Sequence, residues 1–205
     1  MKVTEQKRLA LIEAAKEEFT AYGFNAANMD RVCEKAATSK RTLYRHFESK
    51  ELLFTAAINS MVEQQTLRPS FVYQSDVTLE SQLKTYLTRK VAGLYRDIGL
   101  PVVRMIIGEF IREPELAKKY LALMGDKDLE LKRWLDVAIE EGRLCHGDSQ
   151  TMLTTLLNLF HGQFLWPQLV ANLSQPTLEQ QECYLEEIVR IFLCAYAHDK
   201  HEQRL

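Results

Sequence analysis

Apolar residues recur every three or four positions along almost the whole of the 205-residue chain. That spacing keeps them on one side of an α-helix, and only eight glycines and five prolines interrupt it. The pattern predicts an all-α fold of about nine to ten helices. The predicted helices span residues 4–22, 29–36, 40–47, 50–65, 78–98, 101–112, 114–124, 126–141, 148–172 and 177–199.

Capping residues mark where several of these helices begin and end. Asn28 and Ser39 have side chains that can cap the second and third helices, and Gly23 stands where a left-handed C-terminal cap belongs. Thr177 and Gln180 have the spacing of a capping box at the start of the last helix.

The helical pattern is interrupted once over a longer stretch. Residues 66–77 surround Pro69 and have no helical periodicity. This segment is therefore predicted to connect a small first domain, residues 1–65, to a larger helical second domain, residues 66–205.

The third predicted helix and the turn before it, residues 38–47, carry many hydrogen-bond donors. Only Leu43 and Phe47, four residues apart, are available to point into a core. Residues 31–50 hold six lysines or arginines against two glutamates, although the whole chain has a formal net charge of -2. A basic helix surface on a mildly acidic chain predicts contact with a polyanion, and an ordinary solvated helix face is the alternative.

Two short helices joined by a tight turn, with the second helix basic, form the pattern of a helix-turn-helix motif. The second helix of that motif enters the major groove of double-stranded DNA, and side chains around the helix starts bind phosphates. Arginine near the start of such a helix can form a bidentate pair with guanine. The predicted DNA-binding residues are Asn28, Ser39, Thr42, Tyr44, His46 and Lys50, together with Lys40, Arg41 and Arg45, which are assigned to bases.

Residues 8–58 resemble the N-terminal domain of the TetR family of transcriptional regulators. The resemblance is carried by Ile12-x-x-Ala15, Phe19-x-x-x-Gly23-Phe24, Met29-Asp30-x-Val32, Lys35-Ala36-Ala37-Thr38-Ser39-Lys40-x-Thr42-Leu43-Tyr44-x-His46-Phe47 and Ser49-Lys50-Glu51-x-Leu53. It implies a three-helix, homeodomain-like DNA-binding domain and a homodimer that binds a palindromic operator. The chain departs from the family pattern at Ala37 and Arg41, where glycine is usual, and at Thr38, where an aliphatic residue is usual. Arg41 therefore predicts a base preference different from that of relatives with glycine there.

The second domain resembles the AefR-like branch of the same family. Matching segments are residues 103–109, 113–117, 134–135 and 142–144, with Gly162 and residues 165–167. Gly162 and Pro167 in one helix predict a kink, and a kinked, aromatic-rich helix leaves room for a ligand, although aromatic stripes are often plain core. The predicted effector-pocket residues are Met105, Phe110, Trp134, Phe160, His161, Phe164 and Trp166, with Arg104 and Glu109 as further polar anchors.

Apolar residues cover more of the last two predicted helices than one core-facing stripe requires. The surplus predicts either contact with a second subunit or a deeply buried helix pair inside one chain. The TetR resemblance favours the second subunit, because family members dimerise through their last two helices. The predicted interface residues are Leu156, Leu159, Leu185, Ile188 and Phe192.

These features together predict a repressor that a small, mainly apolar effector releases from its operator. An activator, or a regulator controlled by a protein partner, is the alternative. An enzyme is not expected, because the sequence has no nucleophile elbow, zinc-protease motif or phosphate-binding glycine loop. No cofactor or metal is expected either, since the four cysteines lack zinc-site spacing. No apolar segment is long enough to span a membrane, so a cytoplasmic location is expected.

Overall fold

A computed structural model describes residues 3–63, 70–124 and 129–198 of the chain. The described residues are helical, as predicted, and their one β-type feature is an isolated bridge between Leu144 and Ala197. The α-helices are α1 (Val3–Ala26), α2 (Met29–Lys35), α3 (Lys40–His46), α4 (Lys50–Glu63), α5 (Leu79–Ala92), α6 (Leu100–Arg112), α7 (Pro114–Met124), α8 (Leu129–Glu140), α9 (Ser149–Phe164), α10 (Trp166–Val170) and α11 (Leu178–Tyr196). Within these ranges, no helix is long and apolar enough to cross a membrane.

Contacts group the described residues into two compact units. The head unit contains residues 3–63 and 97–124, and the body unit contains residues 70–96 and 129–198. The domain boundary after residue 65 stays a prediction, and the contact-based division differs from it in placing α6 and α7 with α1–α4.

The head unit has its own hydrophobic core, built from α1–α4 with Leu116 of α7. Phe19, Phe24 and Phe54 meet at its centre, with the ring of Phe54 4.9 Å from that of Phe19 and 5.0 Å from that of Phe24. Leu43 is fully buried and Phe47 is 4% exposed, which confirms that these two residues hold the third helix to the core.

Local signals placed two helix starts correctly, but not the end of α1. Gly23 has a φ of 72° with a ψ of 175°, so it kinks α1 and does not form the predicted left-handed cap, and the helix runs on to Ala26. Asn28 caps α2 by accepting a hydrogen bond from the Asp30 N–H. Thr177 and Gln180 form the reciprocal pair of a capping box at the start of α11.

The body unit is organised around a buried polar contact between α5 and α8. Trp134 is 1% exposed, and its indole N–H donates to Gln82 Oε1 at 2.8 Å. The Gln82 amide nitrogen donates to the carbonyls of Gln74 and Val77, which fixes the connecting segment before α5. All four hydrogen-bonding capacities of this side chain are thus used for structure.

Two long predicted helices are each divided. Residues 78–98 form α5 and then a π-helical turn, Gly93–Ile98, in which the Tyr95 hydroxyl donates to the Phe164 carbonyl at 2.7 Å. Residues 148–172 form α9 and α10, separated at Leu165, whose ψ of −64° with a φ of −119° departs from ideal helix. The break confirms the predicted kink, because Pro167 has no N–H with which to continue the ladder.

Candidate nucleic-acid interface

The turn between α2 and α3 fixes the orientation of the polar helix. The Thr38 N–H donates to the Cys33 carbonyl at 2.9 Å, and Ala37 before it has a left-handed φ of 48°. Ser39 then caps α3, because its hydroxyl accepts from the Thr42 N–H at 3.2 Å. These contacts close the helix-turn-helix motif within 18 residues, Met29–His46.

The outer face of α3 is polar and open to solvent. Arg41, Tyr44 and Arg45 have the i, i+3 and i+4 spacing of one helix surface, and all three are exposed. The Tyr44 side chain is 48% exposed, an unusual position for a large aromatic residue in a chain with a well-filled core. This face offers two guanidinium groups and a phenol to a partner.

Most of the other basic residues near the motif are already paired with carboxylates. Arg31 binds Glu18, Lys35 binds Glu17 at 3.1 Å, and Lys40 binds Asp30 at 2.7 Å. Among the described residues, Arg41 and Arg45 have no such partner. The positive charge that remains unpaired on α3 therefore lies on the two arginines of its exposed face.

The Glu18 pair is the most buried of these contacts. The Glu18 side chain is fully buried, and it accepts from the Arg31 guanidinium and from the Asn28 N–H at 2.8 Å. Burial alone would raise the pKa of Glu18, but the hydrogen bonds and charge of Arg31 and the Asn28 N–H hold it below its ordinary value. The Arg31 guanidinium also lies 4.3 Å from the Tyr22 ring centroid, so this pair anchors α2 on α1.

Lys50 was predicted to bind phosphate, but in this conformation its ammonium group is used inside the head unit. It donates to the carbonyls of Asn25 at 3.1 Å and Ala27 at 2.8 Å, and it lies 5.0 Å from the Phe24 ring centroid. Burial lowers the pKa of Lys50. The side chain ties the start of α4 to the end of α1, because the last carbonyls of a helix attract cations.

Two further predicted contacts are not directly available to DNA in this conformation. Asn28 uses its Oδ1 to cap α2, and His46 has a buried Nε2 with no partner among the described residues. Direct phosphate contact by His46 Nε2 would require its ring to move. The DNA roles of all the predicted contact residues stay predictions. Among them, Arg41, Tyr44 and Arg45 are exposed.

Sequence analysis missed the carboxylates that neutralise this motif. Glu17, Glu18 and Asp30 are separated by ten to eighteen residues from the cations they bind. Such spacings carry no helical signature, since side-chain pairs on one helix lie three or four residues apart. Only the packing of α1 on α2, and of α2 on α3, brings these charges together.

The predicted effector-pocket residues do not form one set within either unit. Trp134, Phe160 and Phe164 are buried in the body core, where the rings of Phe160 and Phe164 stack at 5.1 Å. Met105 and Phe110 pack against the head core, and Trp166 is 47% exposed. The polar anchors are also distributed: Glu109 is bound by Arg112 at 3.0 Å, Arg104 is exposed, and His161 lies beside Phe160.

Most of the predicted dimer-interface residues are buried in the body core. Leu156, Leu185, Ile188 and Phe192 are each at most 5% exposed within the single chain, and Leu159 is half-buried. The apolar surplus of α9 and α11 was predicted to contact a second subunit. In the single chain, α5 and α8 pack against these helices and bury it. The same region does expose other apolar residues, namely Trp166, Val170, Leu173, Leu178 and Ile191.

Comparisons with known proteins agree with this architecture. The sequence model described as "Bacterial regulatory proteins, tetR family" matches residues 11–57, and that described as "AefR-like transcriptional repressor, C-terminal domain" matches residues 81–198. The chain is 26% identical over 151 residues to the HTH-type transcriptional regulator RutR of Escherichia coli K12, covering 72% of this chain and 68% of RutR.

Solved structures give the same result over nearly the full length. A TetR family transcriptional regulator from Pseudomonas syringae pv. tomato DC3000 is 31% identical, with a TM-score of 0.78 and coverage of 96% of this chain and 100% of that one. The flavonoid-responsive regulator FrrA is 29% identical, with a TM-score of 0.76 and coverage of 94% and 98%.

Proposed function

The chain belongs to the TetR family of DNA-binding transcriptional regulators, and from that membership we propose that it is a homodimeric repressor, released from a palindromic operator by a small, mainly apolar effector. The observation that carries the proposal is the unpaired, exposed pair of arginines on α3. A helix placed in the major groove needs such donors, because guanine offers two acceptors that one guanidinium can bind together.

Arg41 is the residue through which this chain differs from the family pattern. A glycine there would present only backbone to the groove, whereas Arg41 adds a long, charged donor beside Tyr44 and Arg45. One bidentate contact contributes about 1–3 kcal/mol of discrimination between bases. We therefore expect the operator to contain a guanine in each half-site at the position that Arg41 reaches.

Dimer formation is supported by the exposed apolar side chains near α9–α11. Val170 is 81% exposed, Leu173 57% and Leu178 83%, which is unfavourable for apolar residues left in water. A two-fold symmetric contact would cover these residues and their copies together. The two heads of a dimer bound to a palindrome would enter successive major grooves, which are about 34–36 Å apart.

Effector control is supported by the aromatic composition of the body core and by the similar FrrA, which is flavonoid-responsive. The Phe164 ring contacts the rings of Phe160, Tyr184 and Tyr95. An aromatic effector could be accommodated among such rings with little polar cost. It would release DNA only if it bound the free conformation more tightly than the DNA-bound one.

The base-reading role of Arg41 is tested by selecting operators from a randomised duplex library with the native chain and with Arg41→Ala. Alanine keeps the helix propensity that glycine would lose, so folding should be retained. We expect one position in each half-site to lose its preference. Lys35→Ala serves as the control, because it removes a cation already paired with Glu17 and should leave the selected sequence unchanged. If the base preference of Arg41→Ala were unchanged at every position, the proposed contact between Arg41 and a base would be refuted.

The effector half of the proposal is tested separately, with the selected operator. Its affinity for the native chain is measured while small aromatic compounds, flavonoids among them, are titrated. At least one compound class should weaken DNA binding and raise the melting temperature of the protein alone. If no compound in a broad panel alters DNA affinity, control by a small apolar effector is refuted, while DNA binding itself is unaffected.

A further inference from the structure

Lys40 is the first residue of α3, directly before the DNA-facing Arg41, yet its charge is not free. Its ammonium group lies 2.7 Å from Asp30 Oδ1, on the first turn of α2. Both side chains are open to solvent, at 57% and 64% exposure, so the contact is not a consequence of burial. The pairing raises the pKa of Lys40, since Asp30 accepts a hydrogen bond from it and lies close by.

Asp30 is itself held in place at the beginning of α2. Its backbone N–H donates to Asn28 Oδ1 at 2.7 Å, which fixes the first turn of the helix from which the carboxylate projects. The Asp30 carboxylate thus lies on the helix-turn-helix motif, next to the residue that precedes the exposed arginine face. DNA bound to that face would bring phosphates toward both members of the pair.

We infer that Asp30 limits the sequence-independent affinity of the head, because it withholds Lys40 from DNA phosphates and leaves recognition to Arg41 and Arg45. Lysine contacts to phosphate strengthen binding to every sequence equally. Arginine contacts to base edges strengthen binding only to the correct sequence. Asp30 neutralises Lys40 and leaves Arg41 and Arg45 unpaired. It therefore lowers non-specific affinity without lowering the discrimination between bases at the correct operator.

The size of the effect follows from counterion release. Each phosphate neutralised by a cation steepens the dependence of log K on log salt concentration by about 0.9. At about 0.1 M salt, that slope corresponds to roughly eightfold in affinity for one contact, reduced by the ordering of the lysine side chain. Removing the charge of Asp30 should therefore tighten non-specific binding about three- to eightfold per head.

The experiment measures binding of a random-sequence duplex by the native chain, Asp30→Asn, Lys40→Ala and the double variant, between about 50 and about 200 mM salt. The control is Glu115→Gln, which makes the same change in net charge. It also breaks an exposed contact of equal length, 2.7 Å between Glu115 and Lys118, but on α7 outside the motif. Circular dichroism establishes that each variant keeps its helices.

We expect Asp30→Asn to tighten non-specific binding and to steepen the salt slope by about 0.9 per head relative to Glu115→Gln. Adding Lys40→Ala should abolish that gain, and Lys40→Ala alone should leave the slope of the native chain almost unchanged. On an operator selected by the native chain, Asp30→Asn should tighten binding by the same factor as on the random-sequence duplex, so the ratio of specific to non-specific affinity should stay unchanged.

Two results would overturn the inference. One is a gain in Asp30→Asn that persists in the double variant, since Lys40 would then not be the released group. The other is a slope reduced by about 0.9 in Lys40→Ala alone, because Lys40 would already bind phosphate in the native complex. This second measurement does not depend on Asp30→Asn folding, and neither depends on whether the chain represses or responds to an effector.

Discussion

Ala37 occupies the left-handed position of the turn between α2 and α3, with a φ of 48°. We expect its replacement by glycine to stabilise the head. A left-handed conformation costs an L-residue roughly 1–2 kcal/mol through contact of its Cβ with the backbone. Ala37 is exposed, so removing its methyl group sacrifices no packing. Glycine also gains freedom in the unfolded chain, which costs about 0.4–1 kcal/mol. The net expectation for Ala37→Gly is a gain of about 0.5 kcal/mol in the free energy of unfolding.

Ala36 provides the matched control, because it is the preceding residue and its φ of −78° suits any L-residue. Ala36→Gly relieves no strain and also removes a methyl group that packs against the head core, so it should destabilise the chain by at least about 0.4–1 kcal/mol. Urea unfolding followed by circular dichroism would compare the two variants with the native chain. The comparison is valid if the dependence of the unfolding free energy on urea concentration is the same in all three. The refuting result is an equal loss in both variants, since strain at Ala37 would then contribute nothing to stability.

Further predictions concern two buried contacts, those made by Glu18 and by the Tyr95 hydroxyl. Arg31 and the Asn28 N–H lower the pKa of Glu18 from its ordinary 4.5, so this carboxylate stabilises the fold above that pH and less as pH falls through its folded pKa. Acid unfolding followed by circular dichroism should accordingly be flatter in Glu18→Gln, which should also be less stable at neutral pH. Tyr95→Phe removes the bond to the Phe164 carbonyl and should cost about 1–3 kcal/mol in thermal unfolding. Because burial raises the pKa of Tyr95 to about 12, the native chain should lose this advantage above about pH 10, whereas the phenylalanine variant should not.

Features that depend on neighbouring residues were predictable from the sequence. The caps at Asn28 and Thr177 and the break before Pro167 all follow from local backbone chemistry. The burial of Leu43 was equally predictable, because Leu43 and Phe47 are the apolar residues of this segment and lie four positions apart, on one side of the helix. Local physics thus fixed the helices and the motif.

Features that depend on which helices meet were not predictable in the same way. An apolar surplus on a helix says that something covers it, but not whether the cover is the same chain or another. Leu156 and Phe192 illustrate this, since α5 and α8 supply the cover that a second subunit was expected to give. The residues left exposed, such as Val170 and Leu178, are at ends and connections where the helical pattern is weakest.

The charge of the motif shows the same limit, with a functional consequence. Counting residues 31–50 gives a net charge of +4, which suggests general attraction to DNA. In the folded head, carboxylates of α1 and α2 bind Arg31, Lys35 and Lys40, and backbone carbonyls bind Lys50. The charge left over belongs to Arg41 and Arg45, on the surface that we propose to meet bases, so the net charge of the motif overstates its general attraction to DNA. A head of this kind should bind random DNA weakly for its composition, and its affinity for the operator should depend on base contacts more than on salt.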